Sequence, residues 1–267
     1  MPGYGNDYSR NTDSPPAGIP LVQLEDVSKH FGSIEAVNHV SLQVAAGSIF
    51  GLVGSDGAGK STLLRMVATM IKPSSGKIVI DGLDVARQKT RVKPLIGYMP
   101  QRFGLYQDLT VGENIDFFMD IFGIFGAERG KRRERYLGFS NLLSFVDRLA
   151  GALSGGMKQK LGLACVLVHQ PKVLILDEPT NGVDPVSRQE FWDILAEMRQ
   201  EGMTILISTA YLDEGEKCDR LALMHKSRIL EIVNPEEFRS HYPNLEEAMI
   251  HRIKGVDEGL IHDRFGL

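Results

Sequence analysis

The residues from Ile49 to Val53 form an apolar run that leads directly into Gly54-Ser55-Asp56-Gly57-Ala58-Gly59-Lys60-Ser61. Behind this loop, Leu63, Leu64, Val67, Met70 and Ile71 recur at the spacing of one helix face, and KPSSG stops the pattern. Glycines at this density belong to neither a helix nor a strand interior, so the segment reads as strand, glycine loop and helix, the unit of an α/β fold. The loop also fits G-x-x-x-x-G-K-[ST]. Its glycines let successive backbone N–H groups converge on phosphate oxygens, and the helix N-terminus adds positive dipole. Lys60 is placed to reach the β- and γ-phosphates and Ser61 to offer a hydroxyl to Mg²⁺. The candidate phosphate-binding residues are Gly54, Ser55, Asp56, Gly57, Ala58, Gly59, Lys60, Ser61 and Thr62.

The rest of the chain agrees with a mostly parallel sheet. LVQLEDV and VSLQV read as opening strands, and KIVID and IGYMP as further ones. Apolar strands return at Val173–Leu176, Thr204–Ser208 and Arg220–Met224, separated by helical segments such as Val186–Gln200. Between them, residues 102–160 lose β-character and read as an inserted helical subdomain carrying the charge run ERGKRRER. With 267 residues, 43% hydrophobic and 24% charged, the chain can bury a substantial core. Residues 1–20, rich in Gly, Pro, Ser, Asn and Asp, are expected to be a flexible tail, residues 21–235 one domain, and 236–267 a C-terminal tail.

Several function classes are disfavoured. A net charge of −4 lacks the basic footprint of proteins that bind phosphate backbones, so no nucleic-acid partner is expected. The most apolar stretch, Phe117 to Phe125, is broken by Asp120 and Gly123 and is too short to span a bilayer. Cys165 and Cys218 lie far apart with no metal-ligand spacing, and both are expected to be buried thiols.

Two more runs carry chemistry. Val173-Leu174-Ile175-Leu176-Asp177-Glu178 is an apolar strand ending in two carboxylates, at the strand end where open α/β sheets place ligands. Asp177 would hold Mg²⁺, and Glu178 would orient or deprotonate the water that attacks the γ-phosphate. Leu153-Ser154-Gly155-Gly156-Met157 precedes the helical segment Lys158–Val168 and reads as a second anion site. With this third run the chain resembles the nucleotide-binding subunits of ATP-binding cassette (ABC) transporters, over roughly Leu21 to Val233.

The resemblance implies a P-loop NTPase core, α/β with a mostly parallel sheet and an antiparallel β portion, plus the helical insert. It implies that Ser154, Gly155 and Gly156 bind the ATP held by an opposite subunit, and that Phe31 stacks on adenine. Gln101 matches a glutamine whose amide meets Mg²⁺ or the attacking water, and Asp184 of NGVDP matches a loop that communicates across the dimer. On this reading the ligands are ATP and Mg²⁺, with Ser61, Gln101 and Asp177 as metal ligands and Glu178, Gln101 and Lys60 as catalytic residues. The partners would be a second ABC subunit, alike or different, and an integral membrane permease, placing the chain on the cytoplasmic face of the plasma membrane. The permease would dock near Gln101–Tyr106, with Phe103 and Tyr106 either contacting it or packing inside the insert. YMPQRFGLYQDLTVGENI and the run Asn244–Ala248 are most similar to ATPase subunits of bacterial drug, lipid or polysaccharide exporters.

One position departs from the family pattern. After TILIST the family places a histidine that hydrogen-bonds the γ-phosphate, whereas this chain has Ala210, followed by a matching YLDE. Losing one positioned transition-state donor commonly costs about 2.7–4 kcal/mol, or 10²–10³ in rate. Three explanations are open: a degenerate site paired with a competent partner, a change made to trap ATP, or a homodimer that works without the histidine. Two other function classes also remain open, a regulatory nucleotide-binding module without significant hydrolysis and a soluble ABC protein outside transport.

Overall fold

Alternating apolar residues open the structure as a long hairpin. In the computed structural model, which describes residues 20–236 and Glu247, β1 (Pro20–Phe31) pairs antiparallel with β2 (Ile34–Ala45). The expected tails, including the Asn244–Ala248 run, thus lie almost wholly outside the described residues. The chain continues through β3 (Ile49–Gly54), α1 (Lys60–Val67), β4 (Ser75–Ile80), β5 (Leu83–Asp84), α2 (Lys89–Val92) and β6 (Ile96–Met99). The helical stretch follows with α3 (Val111–Ile121), α4 (Gly126–Phe139) and α5 (Gly155–Leu167). It then runs through β7 (Val173–Asp177), α6 (Pro185–Gln200), β8 (Thr204–Thr209), α7 (Leu212–Gly215), β9 (Arg220–His225) and β10 (Arg228–Val233).

Two sheets result. One is antiparallel, in the order β2-β1-β4-β5, and the other runs β10-β9-β3-β8-β7-β6, parallel except for β10 on β9. Strands β3, β7 and β8 are buried along their whole length, as a sheet covered on both faces requires. Their side chains divide by alternation. Ile49, Leu174, Leu176, Ile205 and Ile207 face α5, α6 and the helical stretch, whereas Phe50, Leu52, Val173, Ile175 and Leu206 face α1 and the antiparallel sheet. Helix α1 is thus clamped between the two sheets through Leu63, Leu64, Met66 and Val67, which fixes the phosphate loop at its N-terminus.

The helical stretch is anchored locally and then packed. Thr110 caps α3 in a reciprocal capping box with Glu113, and Arg129 and Arg133 of α4 pair with Asp116 of α3. Ile115, Met119, Ile124, Tyr136, Leu137 and Leu142 join the core face that α5 shares with the parallel sheet. Both cysteines are buried, and burial pushes both thiols up, so they stay protonated.

Three local readings are corrected. Helix α5, expected over Lys158–Val168, starts at Gly155, because Ser154 caps it and accepts the Met157 N–H. The α1 segment, expected to reach Ile71, stops at Val67, because Thr69 takes a positive φ of 61° and the N–H groups of Met70 and Ile71 turn back to the Arg65 carbonyl. Strand β10 is absent from the sequence reading. Its turn, Lys226-Ser227, has positive φ at both residues without the Asn-Gly signal such turns usually carry.

Candidate functional site

Gly59 closes the phosphate loop at φ 103°, where a Cβ would stand 2.4 Å from the Ala36 carbonyl oxygen. The loop therefore lies tight against β2, and its first helical residue, Lys60, is buried at 4% exposure. The Lys60 ammonium donates to the carbonyls of Gly54 (2.7 Å) and Ser55 (3.1 Å) and lies 3.2 Å from the Glu178 carboxylate. The Ser61 hydroxyl donates to Asp177 Oδ1 at 2.7 Å across 116 residues of chain.

Asp177 ends β7, and its neighbours hold both oxygens. Ser208 of β8 donates to Oδ1 at 2.9 Å, and the Tyr98 hydroxyl of β6 lies 3.5 Å from Oδ2. Burial raises the Tyr98 pKa, and the Asp177 charge raises it further, so the phenol stays protonated as a donor. Glu178 turns out of the strand at φ 48°, a costly conformation for a residue with a side chain. Its N–H donates to the Ser208 carbonyl and hydroxyl, both at 3.1 Å. Gln101 Nε2 at 2.9 Å and Asn181 Nδ2 at 3.4 Å donate to Glu178 Oε2.

Lys60, Ser61, Gln101 and Glu178 meet at one cleft of about 470 Å³, walled by Ile34, Glu35, Ala36, residues 56–62, Gln101, Glu178 and Ser227. That volume suits a small-molecule ligand. A larger groove of about 560 Å³ between α4 and α6 contains none of the expected site residues, and its Glu134, Glu190, Asp193 and Glu197 would repel a triphosphate. Of the expected residues, Asp56 to Thr62, Gln101 and Glu178 wall the cleft, with Gly54 and Ser55 at the loop's entrance and Asp177 behind Ser61.

The profile described as "ABC transporter" matches residues 37–181. The chain belongs to the ABC transporter family. It is 48% identical over 212 residues to the probable multidrug ABC transporter ATP-binding protein YbhF of Escherichia coli, covering 79% of this chain but only 37% of that relative's length. It is 40% identical over 210 residues to the Nod factor export ATP-binding protein I of Rhizobium sp. (strain N33), covering 78% of this chain and 69% of that protein. Among solved structures, a dimeric ATP-binding cassette in a post-hydrolysis state with ADP and Pi superposes with a TM-score of 0.72 at 25% identity, over 80% of this chain and 98% of its own.

Two groups of expected residues lie outside this cassette's cleft lining. Ser154 caps α5, its hydroxyl oxygen accepting the Met157 N–H at 3.3 Å. Beside it, Gly155 has open space, whereas a Cβ on Gly156 would stand 2.3 Å from Ser187 Cβ of α6. Gly156→Ala is therefore expected to destabilise the cassette by about 1–3 kcal/mol, the usual penalty for overpacking, and Gly155→Ala to leave thermal melting unchanged. Phe31 sits at the end of β1 opposite Ile34, half-exposed, with the Lys29 ammonium 5.0 Å from its ring centroid.

Of the two aromatic residues in the expected docking segment, Phe103 takes the second of the two alternatives, half-buried against Phe118 and over Gly162, whereas Tyr106 stays exposed. Ala210 is exposed beyond Thr209, the residue in register with Val53 of β3.

Sequence reading missed Ser208, Tyr98 and Ser227. A serine inside TILIST and a tyrosine in IGYMP carry no motif signal. Ser227 belongs to the unforeseen turn, where its hydroxyl donates to the Glu35 carbonyl (2.7 Å) and its N–H to the Ala58 carbonyl (3.2 Å), pinning the β9–β10 turn against the phosphate loop.

Proposed function

We propose that this chain binds Mg-ATP in the cleft and hydrolyses it, and that two such cassettes close head to tail on ATP to drive a separate membrane permease. The observation that carries this reading is the convergence of Lys60, Ser61, Gln101, Asp177 and Glu178, from distant segments, on one cleft beside a helix N-terminus. The proposed domain spans residues 21–235, with the helical subdomain at 102–160. Relatives named for multidrug and Nod factor export support the exporter class. Among the described residues, no helix is long and apolar enough to cross a membrane, which fits a separate permease and a peripheral position on the cytoplasmic face.

In this reading the loop N–H groups and the Lys60 ammonium bind the phosphates. Glu178, oriented by Gln101 and Asn181, accepts the proton of the attacking water. The hydroxyl of Ser61 and the carboxylate of Asp177 offer hard oxygen atoms 2.7 Å apart, the donor type Mg²⁺ prefers, and Gln101 adds an amide oxygen. Among the described residues, no group of three or more His, Cys, Asp and Glu side chains could hold a metal, in keeping with an ion bound partly by substrate phosphates. When bound, Mg²⁺ would supply charge neutralisation at the phosphates. Ser154 and Gly155 would meet the nucleotide of the opposite subunit, with Gly156 setting the turn against α6.

Ala210 favours a second reading, in which this site binds ATP but turns it over slowly and the chain serves a more active partner or a regulatory role. Equilibrium binding of Mg-ATP together with phosphate release tests both. The proposal expects Lys60→Ala to weaken Mg-ATP by about 10²-fold or more, since hydrogen bonds to charged groups are worth about 1.5–3 kcal/mol each. The same variant leaves Glu178 without its cationic partner in a buried place, so its fold is checked by thermal melting. Tight binding by Lys60→Ala would remove the cleft from consideration.

A further inference from the structure

We infer that Glu214 is a positioning residue that ties the segment carrying Glu178 to the strand end at Ala210; this rests on the reading of Glu178 as the hydrolytic base. Glu214 lies on α7 with no exposed surface. Its Oε1 accepts the Thr180 hydroxyl at 2.6 Å, and its Oε2 accepts the Thr209 hydroxyl at 2.5 Å. Thr180 is two residues past Glu178, and Thr209 immediately precedes Ala210.

A fully buried carboxylate is costly unless hydrogen-bonded, and apolar side chains of similar size fill such space at least as stably. What a carboxylate adds is that both of its oxygens only accept, so both threonine hydroxyls must donate inward and their rotors are fixed. The ends of β7 and β8 are thereby laced twice. The first tie is the Glu178 N–H on Ser208, and the second runs Thr180–Glu214–Thr209.

The second tie continues outward. Thr209 Oγ1 accepts the Tyr211 N–H at 2.9 Å, and the Arg188 guanidinium of α6 lies 4.9 Å from the Tyr211 ring centroid, 3.4 Å from Asp213 and 4.0 Å from Glu214. The turn that begins at Thr180 is closed by the Val183 N–H on the Thr180 carbonyl at 3.1 Å, and Asp184, next in the chain, caps α6 with its side chain.

Glu178 holds a positive φ, a conformation that persists only where its surroundings over-determine it. Loosening the second tie frees the segment from Glu178 to Asp184 while leaving the phosphate loop, clamped by both sheets, in place. The consequence falls on turnover rather than on ATP affinity, because misplacing a reacting group by about 1 Å costs up to 10²-fold in rate. With alanine at 210, no imidazole there reports the nucleotide to the 209–211 segment, so the Glu214 tie is the side-chain link through which that segment and Glu178 register each other.

The experiment uses Glu214→Gln, Thr180→Val and Thr180→Ser in both the Ala210 and Ala210→His chains, measuring Mg-ATP affinity, the rate of phosphate release and the urea midpoint. Expected is a fall in rate of about tenfold or more for Glu214→Gln and Thr180→Val, with affinity within about threefold. Thr180→Ser, which keeps the hydroxyl, is expected to keep the rate within about threefold of its parent, and a double variant carrying both Glu214→Gln and Thr180→Val to be no slower than the slower single one. Parents that turn over alongside equally fast Glu214→Gln and Thr180→Val overturn this inference alone. So does a loss of affinity in proportion to rate, which would mark a merely structural role. Parents that bind Mg-ATP yet release no phosphate in either background overturn the hydrolytic reading of Glu178, and this inference with it.

Discussion

Glu178→Gln is expected to slow phosphate release by about 10²–10⁴, the range for removing a positioned general base, while Mg-ATP affinity holds or improves. The amide keeps the shape of the carboxylate and retains an oxygen to accept from Gln101 and Asn181, so the cleft stays assembled. Lys60 loses its ion-pair partner but remains held by the Gly54 and Ser55 carbonyls. Removing a negative charge beside the place where phosphates would bind favours the nucleotide. Steady-state phosphate release and equilibrium binding on the same preparation separate the two effects. A variant that keeps the parent rate would reassign the base to another group, and one that loses affinity and rate together would make Glu178 a structural partner of Lys60. The comparison is made in the Ala210→His chain as well, where a faster parent widens the measurable range.

Ala210→His is expected to raise phosphate release by about 10²–10³, the value of one donor aimed at charge developing in the transition state. The position suits this role. Thr209 is in register with Val53, the residue before Gly54, so residue 210 follows at the level where β3 enters the phosphate loop. The backbone there is already fixed by Thr209 through Glu214 and by the Tyr211 N–H, which limits the rearrangement a new imidazole requires. A rise of that size would identify a complete site braked by one missing donor. An unchanged rate in an active chain would mean that Glu178 and Gln101 suffice, and an unchanged zero would move turnover to a partner's site.

The legible part of the fold was the part governed by neighbours in sequence. The strand and glycine loop ending at Lys60 and the apolar run ending in Asp177-Glu178 follow from local rules of periodicity and glycine geometry and occur where expected, whereas the helix behind Ser154 starts directly after its cap, three residues before the expected Lys158. Boundaries were less legible. The α1 periodicity ran on through Met70 and Ile71, but the backbone turned at Thr69, so those side chains share the spacing of the helix without belonging to it. The β9–β10 turn escaped notice because its positive φ angles are held by Ser227 against Glu35 and Ala58 rather than by turn-forming residues.

By itself, then, the sequence determined the α/β class, the family resemblance and the candidate chemical groups, because glycine spacing and strand-end carboxylates are local in the chain. The tertiary structure alone decided which groups meet. The parallel order β3-β8-β7-β6 puts Ser208 and Tyr98 on Asp177, brings Ser61 to the same carboxylate and sets Lys60 against Glu178. It also seats Gly156 on Ser187, packs Phe103 against Phe118 and joins Thr180 to Thr209 through Glu214. These contacts join separate segments of the chain and arise from the crossover order of the sheet, which no local pattern of residues encodes.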